Sequence, residues 1–133
     1  MFETIVLAAD PFGHADVALP LTCEIARKFE GEVVVLLVRD VSGPLDERHC
    51  DAVAVTERFA DALTRDGVSV RMDVRGARGQ RIGQEIATVA HELGAGLVVV
   101  GTRGLSPLAS VMLGSVSHQV QRFVDCPVLV ARY

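Results

Sequence analysis

Tryptophan is absent from this chain of 133 residues, and aromatics make up only 5% of it. The core must be filled by Val, Leu, Ile and Ala, which suits close packing of helices on a sheet rather than an aromatic-lined ligand cage. Lysine occurs once, as Lys28. No G-x-x-x-x-G-K-[ST] stretch is present, which excludes a P-loop, and no G-x-G-x-x-G follows the first apolar run, which excludes the dinucleotide fingerprint. Cysteine is scarce and odd in number, with Cys23, Cys50 and Cys126 in no C-x-x-C spacing. Neither a disulfide framework nor a zinc site is indicated, and a reducing, cytoplasmic setting is expected. The longest unbroken apolar run, Val33 to Val38, is six residues, against the roughly 20 needed to span a bilayer, so no membrane association is expected. Met1-Phe2-Glu3-Thr4 lacks the basic-then-apolar pattern of a signal peptide. Basic residues number 13 against 17 acidic, a net charge of −4. That balance argues against nucleic acid as a partner, because such binding needs a basic face. It leaves an anionic small ligand open, since backbone amides can hold a phosphate.

What the chain does have is apolar periodicity. Half of its residues are apolar, and the length fits one domain over residues 1–133. Ile5 to Ala9 reads as a buried strand closed by Asp10-Pro11-Phe12-Gly13. Ala18, Leu21, Ile25 and Phe29 mark a helical face ended by Gly31, with Pro20 tolerable only near the first turn. Val33 to Val38 suits a strand buried on both faces. Arg39 to His49 reads as a loop. Ala52, Val55, Phe59 and Leu63 then give a second helix, stopped by Gly67. Val68, Val70, Met72 and Val74 alternate with polar residues, as an edge strand with one wet face does. Ile82, Ile86, Val89 and Leu93 form a third helix before Gly94, and Leu97 to Val100 a further strand. Val116, Val120 and Phe123 lie on a last helix, followed by a final strand, Val128 to Arg132.

Strict alternation of strand and helix implies an α/β fold: a doubly wound, five-stranded parallel sheet with helices on both faces. The apolar strands 1, 2 and 4 belong at the centre and the alternating third at an edge, which gives the order 3-2-1-4-5. The order reverses between strands 1 and 4, and ligands of such sheets bind at the carboxyl ends of the strands flanking that point. Those ends are Asp10 and Gly101.

At the second of them the chain reads Gly101-Thr102-Arg103-Gly104, and after nine further residues Gly114-Ser115-Val116-Ser117. The spacing G-x2-G-x9-G-S has the makings of a phosphate site. Glycine lets the backbone turn sharply and approach a ligand. Gly114 and Ser115 open a helix whose first amides lack internal partners and favour an anion. The hydroxyls of Ser115 and Ser117 add donors, and Arg103 adds charge at the rim. Glycine at a strand end and serine at a helix start are also ordinary structural choices.

This constellation resembles the ATP-binding signature of the universal stress protein family. The likeness extends to the first strand with its terminal Asp10, and to the carboxyl-terminal third with Leu113-Gly114-Ser115-Val116-Ser117 and Cys126-Pro127-Val128-Leu129-Val130. The resemblance implies an adenine nucleotide alpha-hydrolase-like fold that binds ATP, with or without Mg²⁺. The glycines, Ser115 and Ser117 would hold phosphates and ribose, Asp10 would lie near the adenosine, and Val38 would contact the adenine. It also implies a homodimer through the last strand, Val128 to Arg132, and a role in nucleotide-dependent stress signalling. One departure is Pro11-Phe12-Gly13 after Asp10, where the family often has a Gly-Ser pair.

Other residues weigh less. Asp10 would also cap the loop that follows it. His118 reads as a surface residue, and His14 is similar. His49 and Cys50 find no further ligand at metal-binding spacing. Arg75, Arg78 and Arg81 form either a basic rim or a solvated helix start. The apolar stretch Leu105 to Leu113 would serve as a lid or a subunit contact. Phosphoryl transfer calls for a metal-binding carboxylate with a base or lysine, and only Asp10 is at hand. A binding module, at most a slow ATPase, is therefore expected, with no catalytic residues and no resident metal. The alternatives are an adenylyl-transfer enzyme and a dimerisation domain with an empty cleft.

Overall fold

A computed structural model of the chain describes residues 1–10, 13, 15–42, 46–102 and 116–132, with the side chains of 46–50 and 102 excepted. In chain order it contains β1 (Thr4–Ala9), α1 (Ala18–Phe29), β2 (Glu32–Asp40), α2 (Asp46–Arg65), β3 (Ser69–Ala77), a 3₁₀ turn (Gly79–Arg81), α3 (Ile82–Leu93), β4 (Leu97–Thr102) and β5 (Val128–Arg132). Residues 116–123 are helical. The strands form one sheet in the order β3-β2-β1-β4-β5, and every neighbouring pair is parallel.

The period of two along each strand divides the core in half. Ile5, Leu7 and Ala9, Val33, Val35 and Leu37, and Leu97 and Val99 point to one face. There they meet Ala18, Cys23 and Ala26 of α1 and Ala52, Phe59 and Leu63 of α2. Val6 and Ala8, Val34, Leu36 and Val38, and Val98 and Val100 point to the other, against Ile86, Val89 and Ala90 of α3 and Val120 of the helix at 116–123. Continuous apolar runs thus supply both faces, as parallel strands covered by helices require. The buried hydroxyls of Thr22 and Thr56 donate to the carbonyls of Ala18 and Ala52, 2.8 and 2.6 Å away, so they enter the core hydrogen-bonded.

Strand β3 is the edge that its alternation indicates, and its polar side is organised rather than merely wet. Arg71 pairs with Glu32 at 2.8 Å. Arg75 meets Asp73 at 3.1 Å and reaches Glu92 at 3.5 Å and Glu85 at 3.8 Å on α3. Charges on an edge strand discourage pairing with another chain. On the opposite side of the strand Met72 is 55% exposed, so the apolar stripe outruns the helix cover.

Three local features depart from the sequence reading. β2 runs two residues past the apolar stretch, because Arg39 and Asp40 continue the register against Gly76 and Ala77. α2 starts at Asp46, well before its first apolar residue, so the loop between them is short. Glu30, not Gly31, takes the left-handed position at the end of α1, with φ 55° and ψ 38°. Gly31 is needed for space instead, since a Cβ there would overlap the carbonyl oxygen of Phe2. At the end of α3 the left-handed residue is Gly94, φ 62°. Only glycine takes that conformation without steric cost. Replacing Glu30 by Gly is therefore expected to stabilise the fold by about 0.5 kcal/mol, because relief of the left-handed strain exceeds the added unfolded-state freedom. Thermal melting checks this: Glu30→Gly should melt a few degrees higher and Glu30→Ala should not.

Candidate functional site

The centre of the sheet defines the site. Ala9 pairs with Leu37 and Ala8 with Val100, so Asp10 stands one residue beyond the β1 ladder, level with Val38. Gly101, one residue past Val100, pairs with Ala131 of β5. Asp10, Val38 and Gly101 therefore meet at the carboxyl ends of three adjacent strands, at the reversal of strand order. Val38 is buried, among residues of the second core.

Asp10 helps to shape the exit from β1. Its Oδ1 accepts the backbone N–H of Ala15 at 2.7 Å, closing the turn that leads into α1. A carboxylate that holds this contact also fixes its own position at the carboxyl end of β1, so the capping role and a ligand-facing role are compatible.

Val116 and Ser117 are half-buried on the first described turn of the helix at 116–123, and His118 is exposed. Gln121 donates through Nε2 to the Ser117 Oγ at 3.2 Å and to the Ser117 carbonyl at 3.3 Å. A serine oxygen that accepts in this way keeps its own hydrogen for a further acceptor. Gln119 reaches the other way, to the segment before α3. Its Nε2 donates to the Gln80 carbonyl at 2.7 Å, and its Oε1 accepts the Gly83 N–H at 3.2 Å. Neither glutamine was singled out from the sequence. The Gln121–Ser117 spacing of four was a readable signal; the contact from Gln119 to a distant backbone had none.

Of the three arginines before α3, Arg75 is held by Asp73, Glu85 and Glu92. The hydrogen bond and charge of Asp73 push its already high pKa further up. It serves the β3–α3 contact rather than a basic rim. Arg78 precedes the 3₁₀ turn and Arg81 closes it.

Pro11, Phe12, His14 and residues 103–115 lie outside the described residues, and with them Arg103, Gly104, Gly114, Ser115 and the stretch Leu105 to Leu113. The side chains of His49 and Cys50 do so too. Among the described residues no three His, Cys, Asp or Glu side chains stand together as a metal site. No helix among them is long and apolar enough to cross a membrane.

Two open concavities lie elsewhere. One is lined by Pro20, Cys23, Glu24, Arg27, Lys28 and Asp66. The other, with Gly31, Gly67 and Ser69 in its wall, sits at the amino ends of β2 and β3, opposite to Asp10. In the first of them the Cys23 thiol donates to Asp66 at 3.3 Å. Burial above all, and then Asp66, push its pKa up. A thiol kept protonated is a poor nucleophile, so this groove carries no chemistry comparable to the strand ends.

Comparison with known proteins agrees with the fold. The model of the universal stress protein family matches residues 1–132. The universal stress protein YxiE of Bacillus subtilis is 30% identical over 99% of this chain and 100% of its own length. A universal stress protein structure from Archaeoglobus fulgidus superposes with a TM-score of 0.83 at 23% identity, covering 98% of this chain and 99% of that one. The structure of the universal stress protein from the same organism in complex with dAMP gives a TM-score of 0.75 at 23% identity, with the same coverage.

Proposed function

The chain belongs to the universal stress protein family, and from that membership we propose that it is an adenine-nucleotide-binding module whose ligand sits across the ends of β1 and β4. The observation that carries the reading is the register. It brings Asp10, Val38 and Gly101 to one end of the sheet, at the point where its order reverses. The sequence from Gly101 to Ser117 then supplies the phosphate-binding spacing. The complex of the Archaeoglobus fulgidus relative with dAMP supports the ligand class.

In this reading the adenine lies against Val38 and the ribose near Asp10. The phosphates rest on backbone amides around Gly101, Gly104, Gly114 and Ser115, with the hydroxyls of Ser115 and Ser117, the Val116 amide and Arg103 beside them. Amides at a helix start stabilise phosphate charge without lysine, which suits a chain whose only Lys is Lys28. ATP is the ligand that the family signature G-x2-G-x9-G-S, with nine residues between Gly104 and Gly114, implies. Mg²⁺ would arrive on those phosphates, since one carboxylate, Asp10, adjoins the site in the sequence reading. Because the sequence reading offers Asp10 and no lysine near it, the module binds and reports occupancy rather than turning ATP over. The reporting surface is β5, the sheet edge opposite β3, through which two copies pair in the cytoplasm.

The test is calorimetric titration of nucleotide-stripped protein with ATP and Mg²⁺, and with AMP and GTP as comparisons. Saturable binding of ATP is expected, with GTP much weaker because the wall at Val38 is apolar and offers no partner to a guanine edge. No heat of binding at ligand concentrations up to about 1 mM, equivalent to roughly 4 kcal/mol of affinity, would remove the proposal.

A further inference from the structure

We propose that Gln119 is a positioning residue for phosphate binding: its side-chain amide ties the helix at 116–123 to the start of α3 and thereby fixes Val116 and Ser117 where the ligand needs them. The inference rests on the nucleotide reading given above.

The geometry is specific. One amide group uses both its ends, with Nε2 on the Gln80 carbonyl at 2.7 Å and Oε1 on the Gly83 N–H at 3.2 Å. Both partners are backbone groups, so no other side chain need move for the tie to form. The Gly83 N–H is one of the first amides of α3, which an α-helix cannot satisfy internally. The residue that would ordinarily cap it, Arg81, makes no side-chain cap bond. Gln119 supplies the missing acceptor from across the interface.

The contact is also close. A Cβ on Gly83 would stand 2.5 Å from the Gln119 Cβ and 2.9 Å from the Val116 carbonyl oxygen. The first described turn of the helix at 116–123 thus rests directly on the first turn of α3. Val116 and Val120 pack into the same core as Ile82 and Ile86, which sets the distance between the helices but leaves sliding along the apolar face cheap. Two directional bonds remove that freedom. A site whose donors are held in place before the ligand arrives loses less on binding than one that must be assembled.

The consequence is selective. In that reading phosphates meet the helix at 116–123, while the adenine and ribose meet β1 and β2; the two hydrogen bonds of the Gln119 amide go to Gln80 and Gly83 instead. Gln119→Met keeps length and bulk but can neither donate nor accept. It should weaken ATP binding about tenfold, the worth of one or two net hydrogen bonds, and leave adenosine within about twofold. Gly83→Ala pushes on the same contact from the α3 side and should give the same pattern. Linkage demands the reciprocal effect: ATP should slow hydrogen exchange at the Gly83 amide of the unaltered protein, and Gln119→Met should abolish that slowing.

Calorimetry with ATP and adenosine on the three proteins, with exchange at Gly83, decides the matter. Loss of ATP affinity with adenosine retained, in either variant that folds, supports the assignment. Equal changes for both ligands, or none, with no effect of ATP on Gly83, overturn it while the nucleotide reading stands. Absence of any binding by the unaltered protein overturns both.

Discussion

Gly114→Val is expected to raise the Kd for ATP by about 100-fold or more, with little change in thermal stability. In the proposed reading the spacing G-x2-G-x9-G-S has the backbone at Gly114 come within hydrogen-bonding distance of a phosphate. A branched side chain there holds the phosphate off, and each charge-assisted amide bond lost is worth about 1.5–3 kcal/mol. Losing about two of them accounts for the factor. The same titration that tests the ligand measures this. A variant that binds ATP as well as the parent would move the phosphates away from Gly114 and remove Gly101 to Ser117 as their seat. A variant that binds adenosine normally but ATP poorly would assign the residue to the phosphates alone.

The second large effect belongs to the core. Phe59 has no exposed surface, and it fills the space between α2 and the sheet, with Leu63, Val35 and Leu37 in the same cluster. The Arg58 guanidinium lies 4.9 Å from its ring centroid. In a chain so poor in aromatics no similar ring can shift into the gap. Phe59→Ala should cost about 3–5 kcal/mol, the sum of lost transfer energy and a retained cavity, out of a total that is about 5–15 kcal/mol for most domains. Urea unfolding should show the midpoint falling with the slope unchanged. Phe59→Leu, which leaves a smaller void, should cost clearly less. A loss below about 1 kcal/mol in the Ala variant would mean that α2 collapses onto the sheet and that Phe59 is not the keystone of this face.

Much of this architecture was legible in the sequence because each strand announced its own cover. Val33 to Val38 has no polar alternation and lies between helices on both sides; Val68 to Val74 alternates and lies at the edge. The strand order followed from that contrast, and the order picked out the strand ends at Asp10 and Gly101 as the candidate site. The parts that could not be read have physical reasons. The first turns of α2, from Asp46, hold mostly polar residues, so they carry no hydrophobic period. Arg39 and Asp40 belong to β2 only because β3 continues opposite them. The left-handed Glu30 was hidden because Gly31 beside it was the expected stop, whereas Gly31 is there to let the Phe2 carbonyl pass. Gln119 acts on backbone groups 36 to 39 residues away, and no local pattern encodes such a contact.

The strand order has a consequence for the chain as it is made. β1, β2 and β3, with α1 and α2 between them, are contiguous in sequence up to Ala77. This half can pair its strands as soon as it leaves the ribosome, in the amino-to-carboxyl order in which domains form. One edge of β1 then stays open until β4 has been synthesised and docks against it. The proposed nucleotide site straddles that seam, so it comes into being only when the late half joins the early one. A ligand that grips both sides would act as a latch on the last step of assembly, adding stability in proportion to its occupancy. A fall in the ligand's concentration would withdraw that added stability from the seam.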